Sequence, residues 1–226
     1  MSIAANLAHV HERIAAAAGR SGRRPDSITL VAVSKYVDAT MAQELVKAGC
    51  RDLGEARPQE LWGKAEELAA ADIRWHLIGH LQTNKVRRTL PLVSLVHSID
   101  SEKLLDAVNA EARLLKRRVP VLLEVNVSGE AAKHGFPPGA VGPTLGHAVL
   151  WPHVEIQGLM CMAALEGGID VARRNFAALR ELRDQLAGNC PPDVSLRELS
   201  MGMSGDYEVA IEEGATIVRI GSALFS

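Results

Sequence analysis

A lysine at the end of an apolar, strand-length run is the first residue of this chain that could do chemistry. Ile28-Thr29-Leu30-Val31-Ala32-Val33-Ser34-Lys35 is apolar and β-branched almost to its last position, the pattern of a strand buried on both faces of a parallel sheet. Asp38-Ala39-Thr40 and the helical pattern Met41-Ala42-Gln43-Glu44-Leu45-Val46 follow. Lys35 therefore stands at the carboxyl end of a strand, where α/β proteins place their sites. Position alone also fits a lysine snorkelling out of the last strand residue. Two glycine- and serine-rich turns supply the other half of a chemistry. Met201-Gly202-Met203-Ser204-Gly205-Asp206 joins flexible backbone to a serine able to cap the next helix, and Gly221-Ser222 adds two amides and a hydroxyl. They follow the last two predicted strands, where barrels commonly hold a phosphate. A lysine and a phosphate site at one mouth suit a phosphorylated aldehyde or ketone held as a Schiff base. Such a link needs a neutral amine, and a free lysine of pKa about 10.4 is neutral in only about one molecule in 2,500 at pH 7. Burial in an apolar strand and the positive charge of Arg219 both favour the neutral form.

Those residues need a scaffold, and the hydrophobic periodicity predicts one. Ile3, Leu7, Val10 and Ile14 mark an amphipathic helix from Ser2 to about Ala18, ended by Gly19 and a polar loop. Strands are expected at 28–34, 51–54, 73–79, 92–99, 119–127, 154–159, 194–199 and 216–220. Helical segments separate them: 39–48, one holding Leu61, Ala65 and Leu68, 82–90, 102–116, one reaching about Leu150, 170–186 and 206–213, with Asp100-Ser101-Glu102 as an N-cap. Strict βα alternation implies a parallel sheet with right-handed crossovers. Eight units in 226 residues predict one closed (β/α)8 barrel domain over 1–226 with an extra N-terminal helix. An open doubly wound sheet is disfavoured because no Gly-x-Gly-x-x-Gly follows the first strand. The strand ends also bring Glu55, His80, Asp100, Asn126 and Met160 towards the mouth.

Composition narrows the function. Aromatic residues are 4% of the chain, too few for single-strand stacking platforms. A net charge of -2 removes the case for a general polyanion binder. The basic runs Arg20-Ser21-Gly22-Arg23-Arg24 and Lys116-Arg117-Arg118 are expected to be solvated, the first in a loop and the second in a helix's last turn. Cys50, Cys161 and Cys190 lack metal-ligand spacing and fit free thiols in a reducing compartment. Without a signal pattern or membrane-length apolar run, a soluble cytoplasmic protein is expected. His76, His80, His97 and His134 also lack ligand spacing, so no metal is expected. Neither a Gly-x-Ser-x-Gly elbow nor a Walker loop is present.

Four motifs, spread in fixed order from residue 28 to the end, resemble the pyridoxal phosphate homeostasis proteins. They are Val31-Ala32-Val33-Ser34-Lys35, Trp75-His76-Leu77-Ile78-Gly79 with Leu81-Gln82-x-Asn84-Lys85, Ser200-Met201-Gly202-Met203-Ser204-x-Asp206, and Val218-Arg219-Ile220-Gly221-Ser222-Ala223-Leu224-Phe225. The resemblance implies a single barrel similar to the cofactor domain of alanine racemase, binding pyridoxal 5'-phosphate through Lys35. It places Ser204 and the Gly221-Ser222 turn on the phosphate, Ser200 and Met203 close by, and Arg219 at the pyridine nitrogen; Asn126, at the end of the fifth strand, joins the cofactor-binding set. An arginine there makes a weaker electron sink than a carboxylate. With the last strand followed directly by Phe225-Ser226, no second domain carrying the racemase tyrosine is expected. The family is thus expected to buffer and deliver cofactor to apo-enzymes, as a monomer, without catalysis. A low-activity amino-acid racemase and a cofactor-independent Schiff-base aldolase are the alternatives. The chain departs from the family's Gly-Glu-Asn with Gly54-Glu55-Ala56, which removes the asparagine's contact or moves it to Arg57, and it lacks a short polar tail.

Overall fold

Valine, isoleucine and leucine fill the strand segments, and parallel pairing beneath helices buries both faces of each strand. The computed structural model describes residues 2–191 and 194–226. Its strands are β1 (Thr29–Val33), β2 (Asp52–Glu55), β3 (Arg74–Leu77), β4 (Val93–Ile99), β5 (Val119–Glu124), β6 (Val154–Met160), β7 (Glu198–Ser200) and β8 (Ile217–Ile220). They pair in chain order, all parallel, and β8 closes on β1 with Leu30 opposite Val218 and Ala32 opposite Ile220. The expected (β/α)8 barrel is the observed fold.

The helices are α1 (Ile3–Arg20), α2 (Ala39–Lys47), α3 (Pro58–Glu67), α4 (Val86–Thr89), α5 (Glu102–Leu114), α6 (Pro138–Gly146), α7 (Gly168–Ala187), α8 (Tyr207–Glu212) and α9 (Ser222–Phe225). Their starts follow capping chemistry: Asp38 accepts from the Met41 amide at 2.9 Å and Ser101 from the Leu104 amide at 3.3 Å. Helix α1 buries Leu7, Val10 and Ile14 as its periodicity requires. It also buries Asn6, whose Nδ2 donates to the Leu224 and Ser226 carbonyls at 3.1 and 2.9 Å and ties α1 to α9.

Side chains two apart on a strand share a face, and this sorts the barrel interior into layers. Val31, Leu95, Leu122, Met160 and Ile217 form a small apolar cluster of their own. His97, Glu124 and Arg219 lie two residues beyond Leu95, Leu122 and Ile217, on the same inward faces and nearer the carboxyl ends. The interior therefore turns polar towards the mouth.

Several expected boundaries move. The helix at 82–90 breaks into the 3-10 turn Thr83–Lys85, α4 and the 3-10 turn Leu90–Leu92, which contains Pro91 with no amide to donate. The fifth strand stops at Glu124: the Val125 amide still donates to the Met160 carbonyl at 2.8 Å, and Val125 forms an isolated bridge with Phe136. Strand β7 keeps three residues, since only Glu198, Leu199 and Ser200 pair with β6. Helix α5 ends at Leu114, so Lys116-Arg117-Arg118 lies beyond it, and Lys116 takes φ 52°. The basic runs are only partly solvated. Arg117 donates to the Leu90 and Val93 carbonyls, Arg23 to the Ala215 carbonyl at 2.6 Å, and Arg20 pairs with Glu212 at 2.7 Å. Among the described residues no helix is long and apolar enough to cross a membrane.

Candidate functional site

A cavity of about 750 Å³ opens at the carboxyl ends of the strands. Lys35, Met203, Ser204, Arg219, Gly221 and Ser222 line it, so six of the eight expected site residues meet at one wall. Lys35 follows β1 and is half-buried, with Nζ 4.9 Å from the centre of the Tyr36 ring. Its backbone is anchored from behind. The Ser34 amide donates to the Gly54 carbonyl at 2.9 Å, and the Ser34 carbonyl accepts from Lys64 Nζ at 2.6 Å. Lys64 in turn pairs with the fully buried Glu55 at 3.0 Å. Burial pushes the Glu55 carboxyl up against the lowering influence of that lysine. No sequence signal distinguished Lys64 from a solvated helix lysine.

The two glycine-serine turns meet as expected, by a different bond. Ser204 Oγ accepts from the Gly221 amide at 3.2 Å and the Ala223 amide at 3.4 Å, so it holds the second turn instead of capping α8. Asp206 stands at the N-cap, and its carboxylate accepts from the Met203 amide at 2.6 Å. Gly202 makes the turn possible. Its φ is +92°, and a Cβ there would lie 2.5 Å from that of Ala210.

Arg219 is 4% exposed and held on two sides, Nη1 donating to Ser200 Oγ at 2.6 Å and Nη2 to the Cys161 carbonyl at 2.9 Å. Burial pulls its pKa below the ordinary arginine value. Ser200 lies outside the cavity wall, behind Arg219, at the head of a buried chain of hydrogen bonds. Ser200 Oγ meets His97 Nδ1 at 2.8 Å, His97 Nε2 meets His76 Nδ1 at 2.9 Å, and His76 Nε2 meets Asp52 Oδ1 at 3.0 Å. Asp52 also takes a two-pronged contact from Arg74. Burial, followed by the charges of His76 and Arg219, keeps His97 well below the ordinary histidine value and hence neutral. Whichever tautomers the two rings hold, His76 Nε2–H donates to the Asp52 carboxylate, which can only accept. Asn126 is also outside the wall. Its side chain accepts from the Gly129 amide at 3.1 Å and donates to the Glu130 carbonyl at 2.9 Å, shaping the loop after β5.

Sequence spacing sets the four histidines aside, but the fold pairs His80 with His134 at the mouth as it pairs His76 with His97 in the interior. His80, His134 and Asp100 place ligand atoms within 4.8 Å of one another at the rim. His80 Nδ1 lies 2.9 Å and His134 Nδ1 3.7 Å from the same Asp100 oxygen, and the two rings stack at 4.3 Å. Glu124, 4% exposed, joins His80 and His134 in the wall. Ala56 lines the cavity too, whereas Arg57 is exposed outside it and makes no replacement contact. Gly79 packs so closely on Ala56 that a Cβ would sit 2.2 Å from the Ala56 carbonyl oxygen.

Residues 5–226 match a family profile described as the alanine racemase N-terminal domain. The pyridoxal phosphate homeostasis protein of Aquifex aeolicus is 43% identical over all of this chain and 98% of its own length. Its counterpart in Pseudomonas aeruginosa is 42% identical over 99% of this chain and 95% of its own. PipY of Synechococcus elongatus, solved with PLP bound, superposes with a TM-score of 0.87 at 34% identity over the full length of both chains. An alanine racemase of Clostridium difficile shares the fold, with a TM-score of 0.77 at 13% identity over 99% of this chain and 56% of that one.

Proposed function

Because the chain belongs to the pyridoxal phosphate homeostasis protein family, we propose that it binds pyridoxal 5'-phosphate at the barrel mouth, with Lys35 as Schiff-base partner. Its role in this reading is to buffer the cofactor in the cytoplasm and deliver it to apo-enzymes as a single chain, without catalysing a reaction of its own.

One observation supports this above the others. Lys35, the Ser204–Gly221–Ala223 cluster and Arg219 share one cavity. The donor set fits a phosphate monoester: two backbone amides already converge on the Ser204 hydroxyl, and Ser222 adds a second hydroxyl beside them. When bound, the cofactor supplies an aldehyde that condenses reversibly with a primary amine. Lys35 is the amine in this wall, and the Glu55–Lys64 pair behind Ser34 holds its backbone in place. Arg219 faces the ring position as a fixed donor, because Ser200 and the Cys161 carbonyl hold its other nitrogens. An arginine cannot supply a proton in the physiological range, so it leaves a ring nitrogen unprotonated and the ring a weak electron sink. That chemistry suits holding and releasing the cofactor better than activating an α-hydrogen. Ser200 supports Arg219, and Asn126 shapes the β5 loop; neither touches the cofactor in this reading.

Wild-type protein incubated with pyridoxal phosphate should develop a visible absorption band that Lys35→Ala lacks. Identical spectra of the two proteins would remove Lys35 as the anchor. Rapid exchange of the α-hydrogen of alanine with solvent deuterium would contradict the carrier role.

A further inference from the structure

The half of the mouth built from the ends of β3, β4 and β5 has a ligand preference of its own. We propose that Glu124, Asp100, His80 and His134 form a subsite for a primary ammonium group that carries no neighbouring carboxylate, such as a lysine side chain. Taking this to be where an acceptor amine approaches rests on the function proposed above.

Glu124 supplies the strongest argument. Its side chain is 4% exposed and faces the cavity, yet it accepts no hydrogen bond from any described residue. Its oxygens open on the cavity with no donor from the described residues opposite, so a cation with several N–H groups placed there meets a partly desolvated, unpaired carboxylate. Asp100 adds negative charge beside the cavity wall without lining it, its Oδ1 accepting from Ser101 at 3.1 Å. It is close enough to influence Glu124, and it gathers His80 and His134 on one oxygen at 2.9 and 3.7 Å. The two histidine side chains are 42% and 60% exposed, so the subsite is reachable from outside.

The same charges select against α-amino acids. Among the described residues, the cations in the wall are Lys35, which the cofactor takes up in the function proposed above, and Arg219, which already donates to Ser200 and the Cys161 carbonyl. An α-carboxylate placed beside the ammonium would face Glu124, with the charge of Asp100 close by and no free cation opposite once Lys35 is taken up, and like charges at this range repel. A divalent metal fits less well than an ammonium. A ligating imidazole holds the metal in its ring plane, but the His80 and His134 rings are stacked 4.3 Å apart and only 14° from parallel.

The test uses the full chain carrying Lys35→Ala, without cofactor and in a buffer free of amines, so that no lysine in the wall can pair with a carboxylate. Histidine side-chain NMR signals are followed during titration with n-butylamine and, separately, with L-alanine. Butylamine should saturate shifts at His80 and His134, with alanine at least about tenfold weaker. Glu124→Gln and Asp100→Asn should each weaken butylamine by about tenfold, with thermal unfolding reporting that either variant is folded. Equal binding of the two ligands, or unchanged binding by both folded variants, would overturn the proposal. So would tight saturable binding of Zn²⁺ at the same resonances. Because the titration needs no cofactor, a positive result together with identical wild-type and Lys35→Ala spectra would leave the subsite standing and remove only the Lys35 reading. The reverse pair of results would remove only the subsite.

Discussion

The two sides of the barrel mouth are assembled in different ways. The β1, β7 and β8 side works through backbone: Gly221 and Ala223 amides, a serine hydroxyl to hold them, and a lysine one residue beyond a strand-end serine. The β3, β4 and β5 side works through isolated side chains, His80, Asp100, Glu124 and His134, each from a different strand end or loop. Backbone donors require a particular local conformation, and that conformation leaves a local sequence mark. A cluster of single side chains needs only a register, which is set by pairing across the whole barrel.

This contrast explains what the sequence disclosed. Lys35, Ser204 and Gly221-Ser222 were visible because a β-branched run and two Gly/Ser turns surround them. The convergence of His80, His134 and Asp100 was not, since 20 residues separate His80 from Asp100 and His134 arrives on the β5–α6 loop. The barrel was legible from βα alternation. Strand β7 was not bounded correctly, because Val194 to Arg197 are as strand-like in composition as Glu198 to Ser200 but lie outside the ladder. Ser200 stands close by, as its stretch of sequence suggests, with its hydroxyl on Arg219 and His97 rather than in the cavity wall, a contact set by the barrel's register and not by the motif.

If the backbone side is the cofactor anchor, Ser204→Ala should have the larger effect. Loss of a hydroxyl that orders two amides and contacts a charged group costs about 2 kcal/mol, or roughly 30-fold in cofactor affinity, read by fluorescence titration. An unchanged affinity would break the division between the two sides.

The sides meet at Arg219, and the buried chain from Ser200 to Asp52 should show up in stability rather than affinity. Asp52→Asn should cost about 1 to 2 kcal/mol at neutral pH, measured by urea unfolding. Burial alone would raise the Asp52 carboxyl, but hydrogen bonds from Arg74 and His76 hold it below the ordinary range. Its stabilisation is therefore full above the unfolded-state value of about 4 and fades as pH falls towards the lower folded-state value. The gap between wild type and Asp52→Asn should narrow with acid. A gap independent of pH would mean that the carboxylate charge contributes nothing to holding this chain of bonds.

The central claim is that Lys35 holds the cofactor, and borohydride reduction of the protein–cofactor mixture followed by peptide mass mapping tests it most directly. The added cofactor mass should fall on the peptide containing Lys35 and on no other lysine. Label on a different lysine, or none under conditions where the visible band is present, would contradict the account.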